Sequence, residues 1–285
     1  MAPSDDDARL LEEGHKALLM LEAEFSKKAT FPTDNYTIKV KALARFPNFL
    51  TAYPFAVIIN ATLLKLADWF CTSNNVVRMH IYKVLHALSP EQLKKAMSHD
   101  QVAKRLLPVC ASNDPIARGL TLRTLGTLAS IVSNDLDVQY AIISILRKTT
   151  DRFELEAVVW AADEVCGQAP DFLAPILDEI STKLRNTMET TNQENIDNLT
   201  LQQRSRLINI LRHMHANPAT AQKAKMVCIE LLEYQHTSET ITIAVLQILS
   251  IYASTAVLDH DEFVGFFKRW KNSSNDWTLT LLKTL

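Results

Sequence analysis

Apolar residues recur along this chain at helical spacing, and nowhere do they alternate with polar ones over the length of a strand. The pattern predicts roughly fourteen helices. They lie near 5–25, 34–51, 55–71, 75–87, 90–96, 99–111, 114–132, 137–148, 152–168, 170–187, 200–215, 218–234, 238–255 and 260–272, with a last one opening near Asn275. The clearest runs from Ser112 to Ile131, SNDPIARGLTLRTLGTLASI. Asp114 is placed to cap it and Pro115 suits its first turn, because neither position needs an intrahelical N–H bond. Leu120, Leu122, Leu125, Leu128 and Ile131 then spread around the helix instead of forming one stripe, which is the pattern of a helix covered by several neighbours. Ser89-Pro90-Glu91-Gln92 reads as a capping box, Asn217-Pro218 repeats the cap-then-proline logic, and Ser238 is placed to cap a helix running to about Thr255.

Most connections are short, so neighbouring helices run antiparallel. The exception is 187–198, TMETTNQENIDN, whose polarity predicts a long exposed loop. A degenerate repeat shows in the match of Asp114-Pro115-Ile116-Ala117 to Asp151-Arg152-Phe153-Glu154, and of Ser73-Asn74-Asn75 with Arg78 to Ser112-Asn113-Asp114 with Arg118. A period of about 40 residues is that of two-helix HEAT or armadillo units, each of which needs its neighbours to bury its apolar face. The expected fold is therefore all-α, a HEAT/armadillo-like α-solenoid over 1–285, one domain of about seven helix pairs with an acidic N-terminus at 1–8. Helices starting near 75, 114, 152, 200 and 238 are the second of each pair and are expected to line the concave side. The chain ends inside an apolar pattern, WTLTLLKTL, whereas a terminal repeat carries a polar outer face, so the expectation is an N-terminal fragment of a longer protein.

Composition narrows the function classes. With only 5 Gly in 285 residues, folds that depend on phosphate-cradling loops are disfavoured. Net charge is −2, from 30 basic and 32 acidic residues, which does not advertise a nucleic-acid or membrane partner. The acidic start MAPSDDDARL lacks the apolar core of a secretory leader, and no apolar run approaches the ~20 residues that span a bilayer. Cys71, Cys110, Cys166 and Cys228 form no C-x-x-C pair and read as buried, reduced thiols.

Candidate chemistry is sparse. Asp114 and Arg118 read as a partner-binding spot or, more plainly, as a cap and an inter-repeat bridge; Arg123 reads as a groove residue or a solvated one. His213 and His215 sit about 200° apart around a helix, so they do not share a metal-binding face. Asp259-His260-Asp261-Glu262 reads as a helix start complementing the dipole. The basic groups Lys27-Lys28, Lys94-Lys95, Lys104-Arg105, Arg147-Lys148 and Lys268-Arg269-Lys271 read as solvated helix ends, or as a stripe for nucleic acid if stacking aligns them. Phe46, Phe49, Tyr53, Phe55, Trp69 and Phe70 read as core packing between the first helix pairs, or as a peptide groove. With no nucleophile elbow, dinucleotide turn or P-loop, the expectation is no enzyme: no catalytic, cofactor-binding or metal-binding residue and no cofactor, with partner-binding residues unassigned.

Arg45-Phe46-Pro47, Tyr53-Pro54-Phe55, Ile59-Asn60, Leu64-Lys65-Leu66-Ala67-Asp68 and Asn74-Asn75 continue into Ser112-Asn113-Asp114-Pro115, Ala117-Arg118, Thr121-Leu122-Arg123 and Leu125-Gly126. Together with Leu211-Arg212-His213-Met214-His215, these resemble the N-terminal region of the Integrator complex subunit 7 family, over roughly 40–260 and most closely over 45–131. The acidic start and the 187–198 segment depart from it. The resemblance implies a non-catalytic nuclear scaffold whose partners are other Integrator subunits and, indirectly, RNA polymerase II and protein phosphatase 2A. It further implies a place in small nuclear RNA processing and transcription, with no membrane partner and no direct nucleic acid. Another HEAT or armadillo adaptor, of nuclear transport or coat type, and a helical-repeat nucleic-acid binder are the alternatives from other classes.

Overall fold

The computed structural model describes residues 5–28, 32–189, 199–233 and 238–255, with 264, 265 and 268. These include fifteen α-helices, and no strand occurs among the described residues. Chain contacts divide them into two compact units, 1–145 with 151–168 and 146–150 with 169–285.

In the first unit, α1 (Asp5–Ser26), α4 (Ala56–Thr72) and α7 (His99–Leu106) pack side by side as one row. The row of α2 (Pro32–Ala44), α5 (Asn75–His86), α8 (Pro115–Thr127) and α11 (Arg152–Cys166) lies against it. Short helices α3 (Phe46–Ala52), α6 (Pro90–Leu93) and α9 (Ala129–Val132) turn the chain between rows, and α10 (Leu136–Lys148) precedes α11. In the second unit α12 (Leu173–Glu189) packs on α14 (Pro218–Glu233), and α13 (Leu201–Ile210) on α15 (Glu239–Ser254). Within each unit the helices stack pair on pair in two rows, the all-α repeat architecture that the sequence predicted.

The interior explains the pattern. Leu120, Leu122, Leu125 and Leu128 are all buried although they point in different directions from α8, because α5, α11 and the turn before α8 cover separate faces. Fully burying such a side chain contributes about 1.5–3 kcal/mol. Side chains also clamp helix starts across the stack. Asn60 of α4 accepts from the backbone N–H groups of Met97 and Ser98 at 3.1 and 2.9 Å and donates to the Ser98 hydroxyl at 3.1 Å. The Ser89 capping box forms, and its Gln92 also donates to the Leu50 carbonyl at 3.0 Å.

Several expected helices are interrupted, for identifiable reasons. The 34–51 helix breaks at Arg45, since Pro47 lacks the N–H a helix interior requires and instead sits in the first turn of α3. The 99–111 helix tightens into a 3-10 turn at Leu107–Ala111, again around a proline, Pro108. The 114–132 helix breaks at Leu128 with no proline. There Thr121, Thr124 and Thr127 each donate a hydroxyl to the carbonyl four residues back, which bends a helix. The 200–215 helix ends as a 3-10 turn, Leu211–Ala216. Ser238 occupies the cap position of α15, but its hydroxyl makes no capping bond. Of the polar 187–198 segment, 187–189 belong to α12 and the rest lies outside the described residues, as do the proposed final helices except at 264, 265 and 268.

Candidate functional site

The helices α5, α8 and α11 each start from an extended cap residue whose side chain accepts a backbone N–H: Asn74 from Val77, Asp114 from Ile116, Asp151 from Glu154. The repeated Asn/Asp at those positions in the sequence is this cap. The caps are linked. Asn75 donates to Asp114 Oδ2 at 2.6 Å, joining α5 to α8. Arg78 donates to Asn75 Oδ1 at 3.0 Å and to the Phe70 and Cys71 carbonyls at the end of α4 at 2.9 and 3.2 Å. Arg118 repeats the arrangement one unit on: it donates to the Ser112 carbonyl at 2.7 Å and grips both carboxylate oxygens of Glu154 at 2.5 and 2.8 Å, joining α8 to α11.

Charge follows this geometry. The Asn75 hydrogen bond holds the Asp114 carboxyl below its ordinary range against the opposing effect of burial; the N–H groups of Ile116 and Ala117 and the charge of Arg78 act with it. The hydrogen bond to Glu154 pushes the Arg118 guanidinium up, while burial pushes Arg78 down. Asp114 and Arg118 are thus committed to binding one repeat to the next.

Arg123 lies with its guanidinium 5.1 Å from the ring centre of Trp160, on α11. It borders a seam that sequence reasoning missed. A Cβ on Gly119 would stand 2.6 Å from Phe153 Cε1, and one on Gly126 2.6 Å from Trp160 Cζ3. The signal was present: two of the five glycines sit two turns apart on α8, and their aromatic counterparts are two turns apart on α11.

Half of the aromatic group is core, and Tyr53, Phe55 and Trp69 are half-buried. Phe46, Phe49 and Phe70 are buried, with Phe46 edge-on to Trp69 at 6.0 Å and to Phe49 at 6.1 Å. Its missing member is Phe25, stacked on Trp69 at 3.8 Å. The basic groups are mostly dispersed. Lys95 donates to the Pro54 carbonyl at 2.8 Å, Arg105 to the Asp68 carboxylate at 2.9 Å, and Arg147 reaches Glu179 at 2.8 Å, while Lys94, Lys104 and Lys148 are exposed. Lys27 and Lys28 border a cavity at the end of α1. His213 and His215 lie in the Leu211–Ala216 turn, where His215 Nδ1 bonds the Arg212 carbonyl at 2.6 Å. Among the described residues no three His, Cys, Asp or Glu gather as metal ligands. Residues 259–262, Arg269 and Lys271 lie outside the described residues.

Paired helices stacked in rows and tied cap to cap define an armadillo- or HEAT-like repeat protein. Solved structures share the fold at low identity. An engineered protein aligns at a TM-score of 0.54 and 14% identity, over 85% of this chain and 98% of its own. A designed armadillo repeat protein in complex with the peptide (KR)4 aligns at 0.53 and 11% identity, over 82% and 98%.

The sequence itself is more particular. The family described as Integrator complex subunit 7, N-terminal, matches residues 31–276. The human Integrator complex subunit 7 is 33% identical over 219 residues, covering 77% of this chain and 21% of the relative. The Drosophila melanogaster protein is 28% identical, over 78% and 21%, and the Dictyostelium discoideum homolog 28%, over 81% and 21%. The chain belongs to the Integrator complex subunit 7 family. It spans about a fifth of the length of the curated relatives it matches.

Proposed function

We propose that this chain is the N-terminal helical-repeat region of a non-catalytic scaffold subunit of the Integrator complex, a single solenoid domain over 1–285. Its family match over 31–276 carries the reading. In that role it holds other subunits in place in the nucleus, with RNA polymerase II and protein phosphatase 2A as indirect partners and small nuclear RNA processing as one output. The physical support is the use of the polar groups: Asn75 with Asp114 and Arg118 with Glu154 serve to join repeats, and a stack fixed in this way presents broad surfaces to partners.

Affinity purification of the full-length parent protein from nuclear extract, with co-purifying proteins identified by mass spectrometry, tests this. Stable recovery of other Integrator subunits is expected. Recovery of transport factors or coat proteins, or of nothing stable, overturns the assembly and leaves the fold.

A further inference from the structure

The caps at Asn74, Asp114 and Asp151 set the starts of α5, α8 and α11 in register, and two rows of side chains follow from it. Two residues past each cap stand Val76, Ile116 and Phe153, which are 52%, 50% and 37% exposed. Seven residues further, two turns along the same helix faces, stand Lys83, Arg123 and Trp160. Lys83 is exposed, and Arg123 and Trp160 are half-buried. The first unit thus carries an apolar row and, about 10 Å from it, a row of two cations and an indole.

The two cations are unmatched. Neither Lys83 nor Arg123 forms an ion pair with a described residue, and the guanidinium of Arg123 has only the Trp160 ring, 5.1 Å from its centre. Arg78 and Arg118 of the same helices are instead committed inside the stack. No Asp or Glu lies within α5 or α8. On α11, Glu156 is held by Arg152 at 3.4 Å, and Asp163 and Glu164 follow Trp160. The free positive charge of this face therefore lies over α5 and α8.

Two features select the occupant. Val76 and Ile116 are aliphatic and offer no ring for a base to stack on. Phe153 is laid on Gly119, and Trp160 on Gly126 with Arg123 over it. Covering aliphatic side chains takes aliphatic groups, which a polypeptide carries and an RNA strand lacks. The spacing then fits a helix. With its side chains an α-helix is about 10–12 Å across, so one helix laid along the stack touches both rows. Packed helices stand about 8–10 Å apart, close to the rise of two helical turns, about 10.5 Å, so residues seven apart on a docked helix meet α5, α8 and α11 in succession.

We propose that this face of the first unit docks an acidic amphipathic α-helix of a partner protein. Its apolar stripe covers Val76, Ile116 and Phe153, and Asp or Glu at seven-residue spacing along its flank pair with Lys83 and Arg123. Its less acidic end lies over α11, where Glu164 follows Trp160. The inference stands on this register and does not depend on which assembly the chain joins.

Fluorescence anisotropy on the full 285-residue chain tests it. The main probe is a labelled peptide of about 20 residues with Leu in a helical stripe flanked by Glu. The others are its scrambled form, its form with Gln for Glu, and single-stranded RNA of equal charge. The patterned acidic peptide is expected to bind at least about tenfold tighter than either other peptide. Lys83→Gln with Arg123→Gln should remove the preference for Glu over Gln. Val76→Ser with Ile116→Ser should remove the preference for the stripe over its scramble. Lys104→Glu, an exposed lysine on α7 in the other row, should change neither. An unchanged circular dichroism spectrum shows that each variant folds. Equal affinity for the patterned and scrambled peptides, or for the Glu and Gln forms, overturns the proposal. So does an equal response to Lys104→Glu, which marks unspecific charge attraction, and so does RNA binding tighter than the peptide and lost on Lys83→Gln with Arg123→Gln. Self-association of the chain in sedimentation velocity, lost on Val76→Ser with Ile116→Ser, gives the face to a second copy and overturns it as well. None of these results touches the family assignment.

Discussion

Gly126 of α8 and Trp160 of α11 meet so closely that a single added carbon at Gly126 would stand 2.6 Å from Cζ3 of the indole and 3.1 Å from the Ala161 Cα. The second contact is backbone and cannot swing aside. Gly126→Ala is therefore expected to destabilise the chain: overpacking costs about 1–3 kcal/mol, against about 1 kcal/mol gained from replacing a helical glycine. Gly119→Ala should go the other way. There the close atoms belong to the ring of Phe153, which is 37% exposed and free to tilt outward, and the nearest backbone atom is 3.5 Å away. Urea unfolding of both variants beside the parent measures this; midpoints moving in the same direction would contradict it.

Arg118 and Glu154 make a pair whose two ends differ. The Glu154 side chain is 2% exposed and that of Arg118 is 23%. Arg118→Ala leaves a buried carboxylate without its bidentate partner and should cost about 3 kcal/mol, the low end for a buried pair because water already reaches the guanidinium. Arg118→Met combined with Glu154→Leu should cost less than Arg118→Ala, since no charge is then left stranded. A double-mutant cycle by chemical denaturation reads this directly.

Much of the stack was legible because its cause is local. The Asp114 and Asp151 caps and the Ser89 capping box follow from side chains acting within a few residues, and each formed where its residue type recurs. The helix breaks at Arg45 and near Leu107 also have local causes, Pro47 and Pro108, whose steric effect was available but underweighted. The links between repeats were less legible. Asn75 reaching Asp114, Phe25 stacking on Trp69 and Gly126 beneath Trp160 join positions some tens of residues apart, where helical periodicity carries no information. Ser238 shows the converse: a good cap residue at the cap position whose hydroxyl does not cap.

The Asn75–Asp114 bond should appear in the acid limb of the stability curve. Asp114 has its folded pKa held below the unfolded value, so its contribution is complete above about pH 3.9 and is lost as pH falls through the folded pKa. Asn75→Ala removes the main cause of that depression and returns Asp114 toward its ordinary range. The variant should therefore be less stable than the parent near pH ~6, with the gap narrowing toward pH ~3. Urea midpoints at the two pH values give the comparison, and a gap that stays constant would show that Asn75 acts only through packing.

Cys228 reports on the second unit. It is fully buried on α14, and burial pushes its thiol up to about 12. Near neutral pH almost none of it is the reactive thiolate, so iodoacetamide should modify Cys228 only when the unit opens. Tyr252 of α15 helps keep it closed. Its buried hydroxyl donates to the Leu211 carbonyl at 2.6 Å, and α15 packs on both α14 and the Leu211–Ala216 turn. Tyr252→Phe leaves that carbonyl without its donor, at a cost of about 1–2 kcal/mol, so the open state becomes roughly tenfold more populated. Peptide mass spectrometry of Cys228 alkylation over time should show a rate increase of that order in the variant. Rapid alkylation already in the parent would mean that α14 and α15 do not form a closed interior around this thiol.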